Sequence, residues 1–409
     1  MAFEFTKEKL ALQKSQSRYR QRICVQQANV NCSSHSTAHG AQIIVDGKMY
    51  VNFSSNDYLG LNSHPEINQA MQEGVDRFGL CSSSSSLVTG FHYAHQALED
   101  KICQWLNKPR CLLFSSGFAA NEAIFKTLGQ NFDQTINQTI RQGKSHFFLD
   151  KLSHASMLDG AFDSKAKVKR FAHNNISQLS QLLSQSDSDN KLIASEGVFS
   201  MDGDQAALNE LENLAKKYNA WLYLDDAHSI GVIGEQGKGS TSVLNTVSDK
   251  KNQPTIIMAT LGKAIATSGA FLACDEVLHD YLINFARHYI YSTAISPAMA
   301  WATIKSIELI QHDQWRRDKI IELSNLLMEL LDDNIDIIPS DSSIHAIIIG
   351  DEQKALTVSE QLKKQGVWLT AIRPPTVAIG SSRLRVTVCA NHNHNDIKHL
   401  AYCLNEALN

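Results

Sequence analysis

The feature that most restricts the fold of this chain is a repeated alternation between short apolar runs and helix-like segments. Apolar runs predict strands at 111–114, 146–149, 168–171, 192–195, 221–225, 256–260 and 270–273. Helical periodicity lies between several of them, at 118–128, 176–183 and 208–218. This alternation predicts an α/β fold with a mainly parallel central sheet and helices on both faces. Sheets of this kind bind ligands at the carboxyl ends of their strands.

The flanking regions predict two further parts. A short hairpin is expected at 43–53, because Asp46-Gly47 forms a tight turn between two apolar runs. From residue 296 to 331 one long helical pattern, interrupted near 312–315, leads to strands and helices that favour a separate α+β unit. The predicted strands and helices there are 345–349, 356–364, 366–372, 383–387 and 396–408. We therefore predict an N-terminal helix and hairpin segment (1–50), a large α/β domain (51–295) and a small C-terminal α+β domain (296–409).

Composition excludes several classes of protein. The 409 residues carry a net charge of −4 and contain no long Lys/Arg run, which disfavours nucleic acid or an anionic membrane as the main partner. No apolar run approaches the ~18 residues of a membrane span, and the charged N-terminus does not resemble a signal peptide. We therefore expect a soluble, cytoplasmic protein. The eight cysteines form no C-x-x-C pair, so neither zinc nor a disulfide framework is predicted. His392 and His394 lie in an Asn-rich loop that favours a helix cap over a metal site.

Lys263 is the first candidate functional residue. It ends the segment Thr260-Leu261-Gly262-Lys263, directly after a predicted strand. A lysine at a strand end beside glycine can approach a cofactor closely, and desolvation lowers the amine pKa to a range that suits Schiff-base formation. Taken alone, a lysine in this position is more often a solvated surface residue.

Asp225 and His228 follow the predicted strand 221–225. A carboxylate at a buried strand end can pair with a protonated pyridine nitrogen and make the ring a stronger electron sink. His228 could then reach the 3-hydroxyl of the same ring. The alternative is a helix N-cap with a polar neighbour. A metal site is disfavoured because no further ligands stand at suitable spacing.

Two more segments carry groups that suit a phosphorylated planar cofactor. Residues 115–121 follow a predicted strand and open a helix, where exposed backbone N–H groups can bind phosphate. His154 follows the strand 146–149 and could stack on a ring, although a satisfied loop histidine is an equal alternative. All four segments follow strands, so one pocket can gather the parts that a pyridoxal-phosphate (PLP) site needs.

Longer segments occur in an order known from one enzyme family. They are NFSSNDYLG (52–60), SGFAAN (116–121), LSHAS (152–156), EGVFSMDG (196–203), DDAH (225–228), GVIGEQG (231–237), FARH (285–288), IYST (290–293) and TAIRPPTV (370–377). On these segments the chain resembles the α-oxoamine synthases, a branch of the fold-type I PLP enzymes, over nearly its whole length. Residues 285–293 and 370–377 resemble the members that make 8-amino-7-oxononanoate for biotin.

The resemblance implies a role for each matching residue. Catalysis is implied for Lys263, His154, Asp225 and His228, with Lys263 forming the Schiff base and moving the substrate's α-proton. The residues implied to bind the cofactor are Gly117, Phe118, His154, Ser200, Asp225, His228, Thr260, Lys263, Ser292 and Thr293. The last two would reach the phosphate of a partner subunit in a homodimer. Those implied to bind substrates are Arg20, Asn56, His154, Arg373, Thr376 and Arg385.

The implied reaction is the condensation of L-alanine with a pimeloyl thioester, carried by CoA or acyl carrier protein, with loss of CO₂. Asn56 and Arg385 would hold the amino-acid carboxylate, a bidentate task that suits arginine. Arg20, Arg373 and Thr376 would contact the acyl chain. Other α-oxoamine synthases (glycine C-acetyltransferase, aminolevulinate synthase or autoinducer synthase) are the first alternative, and a catalytically silent PLP-fold binding protein is the second.

The sequence departs from the family pattern at several places, two of which are the segments 81–86 and 241–254. Residues 81–86 are Cys followed by five serines, where the family carries a glycine-rich segment. Serine allows less backbone freedom than glycine, so we expect a stiffer or differently shaped loop on the substrate side. The segment 241–254 is longer than usual. Neither departure removes a predicted catalytic group.

Overall fold

The computed structural model describes residues 2–28, 40–130, 144–243 and 255–409. Most of the long segment at 241–254 lies outside these residues. The chain divides into a larger unit (Leu61–Ser200 and Gln205–Gln314) and a smaller unit (Met1–Gly60, Met201–Asp204 and Trp315–Asn409). The three-part division drawn from the sequence, with limits after residues 50 and 295, stays a prediction.

The larger unit is built on a seven-stranded sheet, counted over the described residues. In spatial order the strands are Arg110–Phe114, Ala270–Cys274, Thr255–Thr260, Trp221–Asp225, Asn190–Glu196, Ser145–Asp150 and Lys167–Phe171. The predicted strands are confirmed to within two residues at either end. Six strands run parallel, and Ala270–Cys274 is antiparallel to both of its neighbours. The sheet is therefore mainly parallel, as predicted, with one reversed strand.

Both faces of this sheet are covered by apolar packing. In the strand Trp221–Asp225, Tyr223 packs into one hydrophobic core while Leu222 and Leu224 pack into another. Alternate residues of a strand point to opposite faces, so the two cores lie on the two faces of the sheet. Glu196 and Asp225 share the face of Tyr223. Helices of the described larger unit span Pro65–Phe78, Tyr93–Leu106, Gly117–Leu128, Ala155–Phe162, Ile176–Ser184, Leu208–Lys217, Glu276–Phe285, Arg287–Ile290 and Pro297–His312. Shorter turns of helix occur at Ser86–Gly90, Glu235–Gly237 and Ser240–Val243.

The smaller unit contains two small sheets within its described residues. Gln26–Gln27, Gln42–Val45, Lys48–Asn52 and Val367–Trp368 form the first, and Ile344–Gly350, Ser382–Thr387 and Ala371–Ile372 form the second. Its helices are Phe5–Ser15, Gln314–Leu330, Glu352–Lys364 and His394–Leu408. The hairpin and the N-terminal helix are confirmed, and none of the described residues of that helix is buried.

One predicted strand of the smaller unit is wrong. The segment 366–372 is not a single strand, because Val367–Trp368 pairs in parallel with Lys48–Asn52 whereas Ala371–Ile372 pairs antiparallel with Ser382–Thr387. Between them the Thr370 N–H donates to the Ser54 hydroxyl at 3.0 Å, so the backbone changes partners within a few residues.

The structure bears on two possibilities raised by the sequence, a metal site at His392 and a membrane-spanning helix. His392 accepts from the Cys389 N–H at 2.9 Å and lies 3.1 Å from the Asn52 carbonyl, so protein groups contact both of its ring nitrogens. Among the described residues, no group of three or more His, Cys, Asp or Glu side chains could hold a metal ion. No helix within these ranges is long and apolar enough to cross a membrane.

Candidate active site

A cavity in the larger unit lies at the carboxyl ends of the central strands. Its lining includes seven of the residues singled out from the sequence: Gly117, Phe118, His154, Asp225, His228, Thr260 and Lys263. These residues come from four strand-to-helix or strand-to-loop junctions that are distant in sequence. The topology of the sheet therefore brings a lysine, a carboxylate, two histidines and a helix N-terminus to one place.

Lys263 lies in the loop that joins Thr255–Thr260 to the antiparallel strand Ala270–Cys274. Backbone bonds from Leu261 N–H to Gly269 O (2.9 Å) and from Thr267 N–H to Leu261 O (2.8 Å) close this loop. The Lys263 Nζ lies 2.9 Å from Nε2 of His228. A hydrogen bond between the amine and the imidazole gives the amine a nearby group with which to exchange a proton.

Asp225 is buried and bound by two donors. Its Oδ2 accepts from Asn121 Nδ2 at 2.8 Å, and its Oδ1 accepts from the Ala227 N–H at 3.1 Å. Donors to both oxygens stabilise the ionised form of a buried carboxylate. Asp225 is thus arranged to carry a negative charge at the end of its strand, with 5% of its surface exposed.

His154 begins the helix Ala155–Phe162 and is held through Ser156. Its Nδ1 accepts from the Ser156 N–H at 3.2 Å and lies 2.6 Å from the Ser156 hydroxyl, which in turn accepts from Asn121 Nδ2 at 2.9 Å. Because Nδ1 is an acceptor, the proton of the neutral ring is on Nε2. Burial lowers the pKa of His154, the Asp225 charge opposes this shift, and Lys263 adds to it. The ring is therefore neutral near pH 7.

The helix Gly117–Leu128 presents its N-terminus to the cavity. Ser116 is the N-cap, and its hydroxyl accepts from the Ala119 N–H at 3.1 Å. The N–H groups of Gly117 and Phe118 belong to the first turn and have no carbonyl partner inside the helix. Such a terminus binds phosphate. Thr260, whose hydroxyl donates to the Gly269 carbonyl at 3.1 Å, lines the same cavity.

Sequence reasoning missed three polar residues of this cavity, Asn121, Ser156 and Glu196. All three lie inside matched segments, so the family resemblance contained them, but the motif analysis assigned none of them a task. The detectable signal for Glu196 is an acid at the end of an otherwise apolar strand, the same signal that identified Asp225. Asn121 follows the helix start by one turn, a position that faces the sheet rather than solvent.

Three predicted cofactor residues are not among those that line the cavity. The Ser200 N–H donates to Glu196 Oε2 at 3.3 Å, which places Ser200 next to a lining residue. Thr293 forms an isolated bridge with Ser85, and Ser292 lines a second cavity together with Arg287 and Tyr291. The contribution of Ser292 and Thr293 to a partner subunit stays a prediction.

Apart from His154, which lines the cavity of the larger unit, the predicted substrate residues form two clusters in the smaller unit. In the first, Arg385 NH1 donates to Asn56 Oδ1 at 3.2 Å and its NH2 donates to the Tyr58 hydroxyl at 3.2 Å. The Tyr58 hydroxyl also donates to Asn56 Oδ1 at 3.1 Å, and burial raises the pKa of Tyr58 to about 12. Arg385 NH1 also donates to Thr387 Oγ1 at 3.2 Å, so several hydrogen bonds fix the position of this guanidinium group.

The second cluster combines two guanidinium groups with a hydroxyl. Arg20 NH2 donates to Thr376 Oγ1 at 2.9 Å, and Arg373 donates to the Ser17 carbonyl. Burial lowers the pKa of Arg373, Glu352 opposes this shift, and the like charge of Arg20 adds to it. Two neighbouring cations beside a hydroxyl favour an anionic group such as a carboxylate.

Comparison with known proteins identifies the family. The profile of "Aminotransferase class I and II" matches residues 48–404. An 8-amino-7-oxononanoate synthase from Photobacterium profundum is 44% identical over 407 residues, which covers 98% of this chain and 96% of that protein. The chain belongs to the 8-amino-7-oxononanoate synthase family. The resemblance drawn from the motifs is thereby confirmed, as is the assignment to PLP-dependent C-acyltransferases.

Solved structures agree with the fold. A serine palmitoyltransferase from S. paucimobilis with bound PLP superposes with a TM-score of 0.85 at 23% identity, over 99% of this chain and 97% of that one. An 8-amino-7-oxononanoate synthase from Francisella tularensis gives a TM-score of 0.74 at 28% identity, over 88% of this chain and 98% of that one. The predicted fold-type I class is confirmed.

The cofactor of this family is PLP, as predicted. The residues of the cavity fit it. A helix N-terminus suits the phosphate, a buried carboxylate with donors on both oxygens suits the pyridine nitrogen, and a lysine amine suits the aldehyde.

Proposed function

We propose that this protein joins L-alanine to a pimeloyl thioester and releases CO₂ and a thiol, giving 8-amino-7-oxononanoate for biotin. The observation that carries the proposal is the cavity that gathers Lys263, Asp225 and His154 in a chain 44% identical to a synthase of that name. The thioester carrier would be CoA or an acyl carrier protein.

The cavity residues divide the work of the first half-reaction. PLP, when bound, supplies an aldehyde for an amine and a ring that withdraws electrons from the substrate's Cα. Lys263 Nζ would remove the α-proton of L-alanine, with His228 Nε2 at 2.9 Å to exchange that proton. Asp225 would keep the pyridine nitrogen protonated, and the neutral His154 ring would stack on the cofactor.

The second half-reaction forms and breaks bonds at the same carbon. Alanine Cα would bond to the acyl carbonyl carbon, and the C–S bond would break with its electron pair on sulfur, which leaves as a thiolate and takes up a proton from solvent. The bond from Cα to the carboxylate would then break to release CO₂. Lys263 would return a proton to Cα.

The family resemblance supports an assignment of residues to the anionic ends of both substrates. Asn56 and Arg385 would hold the alanine carboxylate, and Arg20, Arg373 and Thr376 would hold the distal carboxylate of the pimeloyl chain. An acetyl or fatty acyl chain has no such distal charge, so these cations favour a dicarboxylic acyl group.

We also propose that the protein is a cytoplasmic homodimer in which Ser292 and Thr293 of each chain reach the cofactor phosphate of the other. The family resemblance supports this proposal. It explains why two matched residues lie outside the cavity of their own chain.

The test of the proposed function is a substrate panel with the purified holoenzyme. We expect L-alanine and pimeloyl-CoA, or pimeloyl-acyl carrier protein, to release free thiol and CO₂ in equal amounts, and Lys263→Ala to release neither. Heptanoyl-CoA, which lacks the distal carboxylate, should be a poor substrate. Arg373→Leu should reduce the difference in turnover between pimeloyl-CoA and heptanoyl-CoA. Faster turnover of glycine and acetyl-CoA would contradict the assignment. No turnover and no borohydride-trapped cofactor on Lys263 would favour a silent binding protein.

A further inference from the structure

Glu196 is a second carboxylate of the cavity, directly beside Asp225. The two residues end neighbouring parallel strands and are paired in register, so their side chains point to the same face of the sheet. Both line the cavity, and Glu196 is only 2% exposed. Two buried carboxyl groups in this arrangement repel each other when both are ionised.

The hydrogen bonds of the two groups are unequal. Asp225 receives donors on both oxygens, from Asn121 and the Ala227 backbone. Glu196 Oε2 accepts from the Ser200 N–H at 3.3 Å, while Oε1 is buried and has no hydrogen-bond partner among the described residues. The negative charge is therefore better stabilised on Asp225, and the proton belongs on Glu196.

Other ionisable groups near Glu196 do not reverse this assignment. Burial, and then the Asp225 charge, raise the pKa of Glu196 well above its ordinary value, whereas the Lys263 charge and the backbone N–H groups of Ser200 and His154 oppose the shift. His154 and His228 also line the cavity, and burial lowers the pKa of His154. A protonated Oε1 is a donor without an acceptor. A buried donor of this kind is costly unless a bound molecule supplies an oxygen for it.

We propose that Glu196 is a neutral carboxylic acid that donates a hydrogen bond to an oxygen of the bound cofactor or amino-acid substrate. The inference deepens the proposed function and rests on its cofactor site. Glu196 thereby leaves Asp225 as the carboxylate that pairs with the cofactor. It also adds Glu196 to the residues predicted to contact the cofactor or the substrates.

The test compares Glu196→Gln, which keeps an N–H donor and cannot ionise, with Glu196→Ala, which removes the donor. Glu212→Gln is the matched control, because Glu212 is a buried glutamate on the helix Leu208–Lys217 that pairs with Lys216. PLP is titrated into each cofactor-free protein at pH 7 by absorbance, and L-alanine is then titrated into each holoenzyme. Infrared difference spectra of wild type against Glu196→Gln report the carbonyl stretch of a protonated carboxyl group.

We expect Glu196→Ala to weaken binding about tenfold, the effect of one buried hydrogen bond, and Glu196→Gln and Glu212→Gln to stay within about threefold of wild type. A loss of affinity for PLP would place the hydrogen-bond acceptor on the cofactor. A loss of affinity for L-alanine alone would place it on the substrate. The protonated carboxyl band should be present in wild type and absent from Glu196→Gln, even if Glu196→Ala fails to fold.

Three results would overturn the proposal. The first is an equal loss of binding affinity in the Gln and Ala variants, which would mean that the ionised carboxylate is required. The second is the absence of the infrared band in wild type, and the third is unweakened binding in Glu196→Ala. Neither readout uses an acyl substrate, so failure of the pimeloyl reaction would not be confused with failure of this inference.

Discussion

At the scale of single residues, Asn121 connects the two ring-contacting groups of the predicted cofactor site. Its Nδ2 donates to Asp225 and to Ser156, and Ser156 in turn holds His154, while Oδ1 accepts from the Tyr223 hydroxyl. Every polar atom of the amide is therefore used. Such a saturated network fixes the positions of a carboxylate and an imidazole relative to each other.

We predict that Asn121→Ala weakens PLP binding roughly tenfold and lowers the free energy of unfolding by about 1–3 kcal/mol, because buried polar groups lose their partner. Cofactor titration and urea unfolding of the cofactor-free protein measure the two effects. Thr127→Val, at another buried position of the same helix, is the control and should leave PLP affinity near wild type. Unchanged affinity in Asn121→Ala would show that the network does not position the ring contacts.

The sequence predicted Lys263, Asp225, His228 and His154 as neighbours because a parallel sheet brings strand ends to one edge. It did not predict which partner holds each of them. Those partners depend on side-chain packing between the helix Gly117–Leu128 and the sheet. Asn121 reads from the sequence as one polar residue in an amphipathic helix.

At the scale of elements, the serine-rich segment 81–86 contains one residue in a backbone conformation that favours glycine. Ser83 has φ of +57°, in the left-handed region, whereas Ser85 is extended with φ of −70°. The Ala294 N–H donates to the Ser84 carbonyl at 3.0 Å, and the Ser82 hydroxyl bonds the Ile295 carbonyl at 2.5 Å. These bonds hold the segment in a conformation that glycine adopts without strain.

We predict that Ser83→Gly raises the free energy of unfolding by about 0.5–1 kcal/mol, because it relieves a left-handed backbone at a non-glycine residue. Ser85→Gly should lower it by a similar amount, since glycine adds only unfolded-state entropy at an extended position. Urea unfolding of both variants gives the comparison. A loss of stability in both would mean that the Ser83 side chain contributes more than its backbone costs.

Element positions were predictable because apolar periodicity sets where strands begin and end. The direction of a strand could not be predicted in this way. The strand Ala270–Cys274 is a short apolar run like the six strands that share one direction, and only its short connection to Thr255–Thr260 indicates a reversal. The segment 366–372 likewise read as one strand, because an exchange of partners at Thr370 leaves no mark on the apolar pattern.

At the scale of the whole molecule, the two residues that the family resemblance assigns to a partner subunit lie in one segment, 292–293. Tyr291, just before them, is 71% exposed in the single chain. If two chains form a twofold-symmetric dimer in which this segment of each chain reaches the site of the other, each site combines Lys263 of one chain with Ser292 and Thr293 of the other.

We predict that Lys263→Ala is inactive alone, that the double variant Ser292→Ala/Thr293→Ala is weakly active alone, and that activity is recovered when the two are unfolded together and refolded. A random mixture should reach about a quarter of wild-type activity, because half of the dimers carry one complete site. Light scattering should give a dimer for each variant. A dimer with no recovery would place Ser292 and Thr293 outside the partner's site.

The reversed strand has a consequence for the order in which the protein becomes competent to bind its cofactor. Arg110–Phe114, which leads into the helix start at Gly117, hydrogen-bonds in the sheet to Ala270–Cys274, the last of the seven described strands to be synthesised. Until that strand exists, Arg110–Phe114 lacks its partner among the described strands, and the helix that starts at Gly117 is held at the sheet by other contacts, including the Asn121 hydrogen bonds to Asp225 and Ser156. A nascent chain that stops before Ala270 would contain every residue that lines the cavity and still lack the strand that fixes Arg110–Phe114 in the sheet.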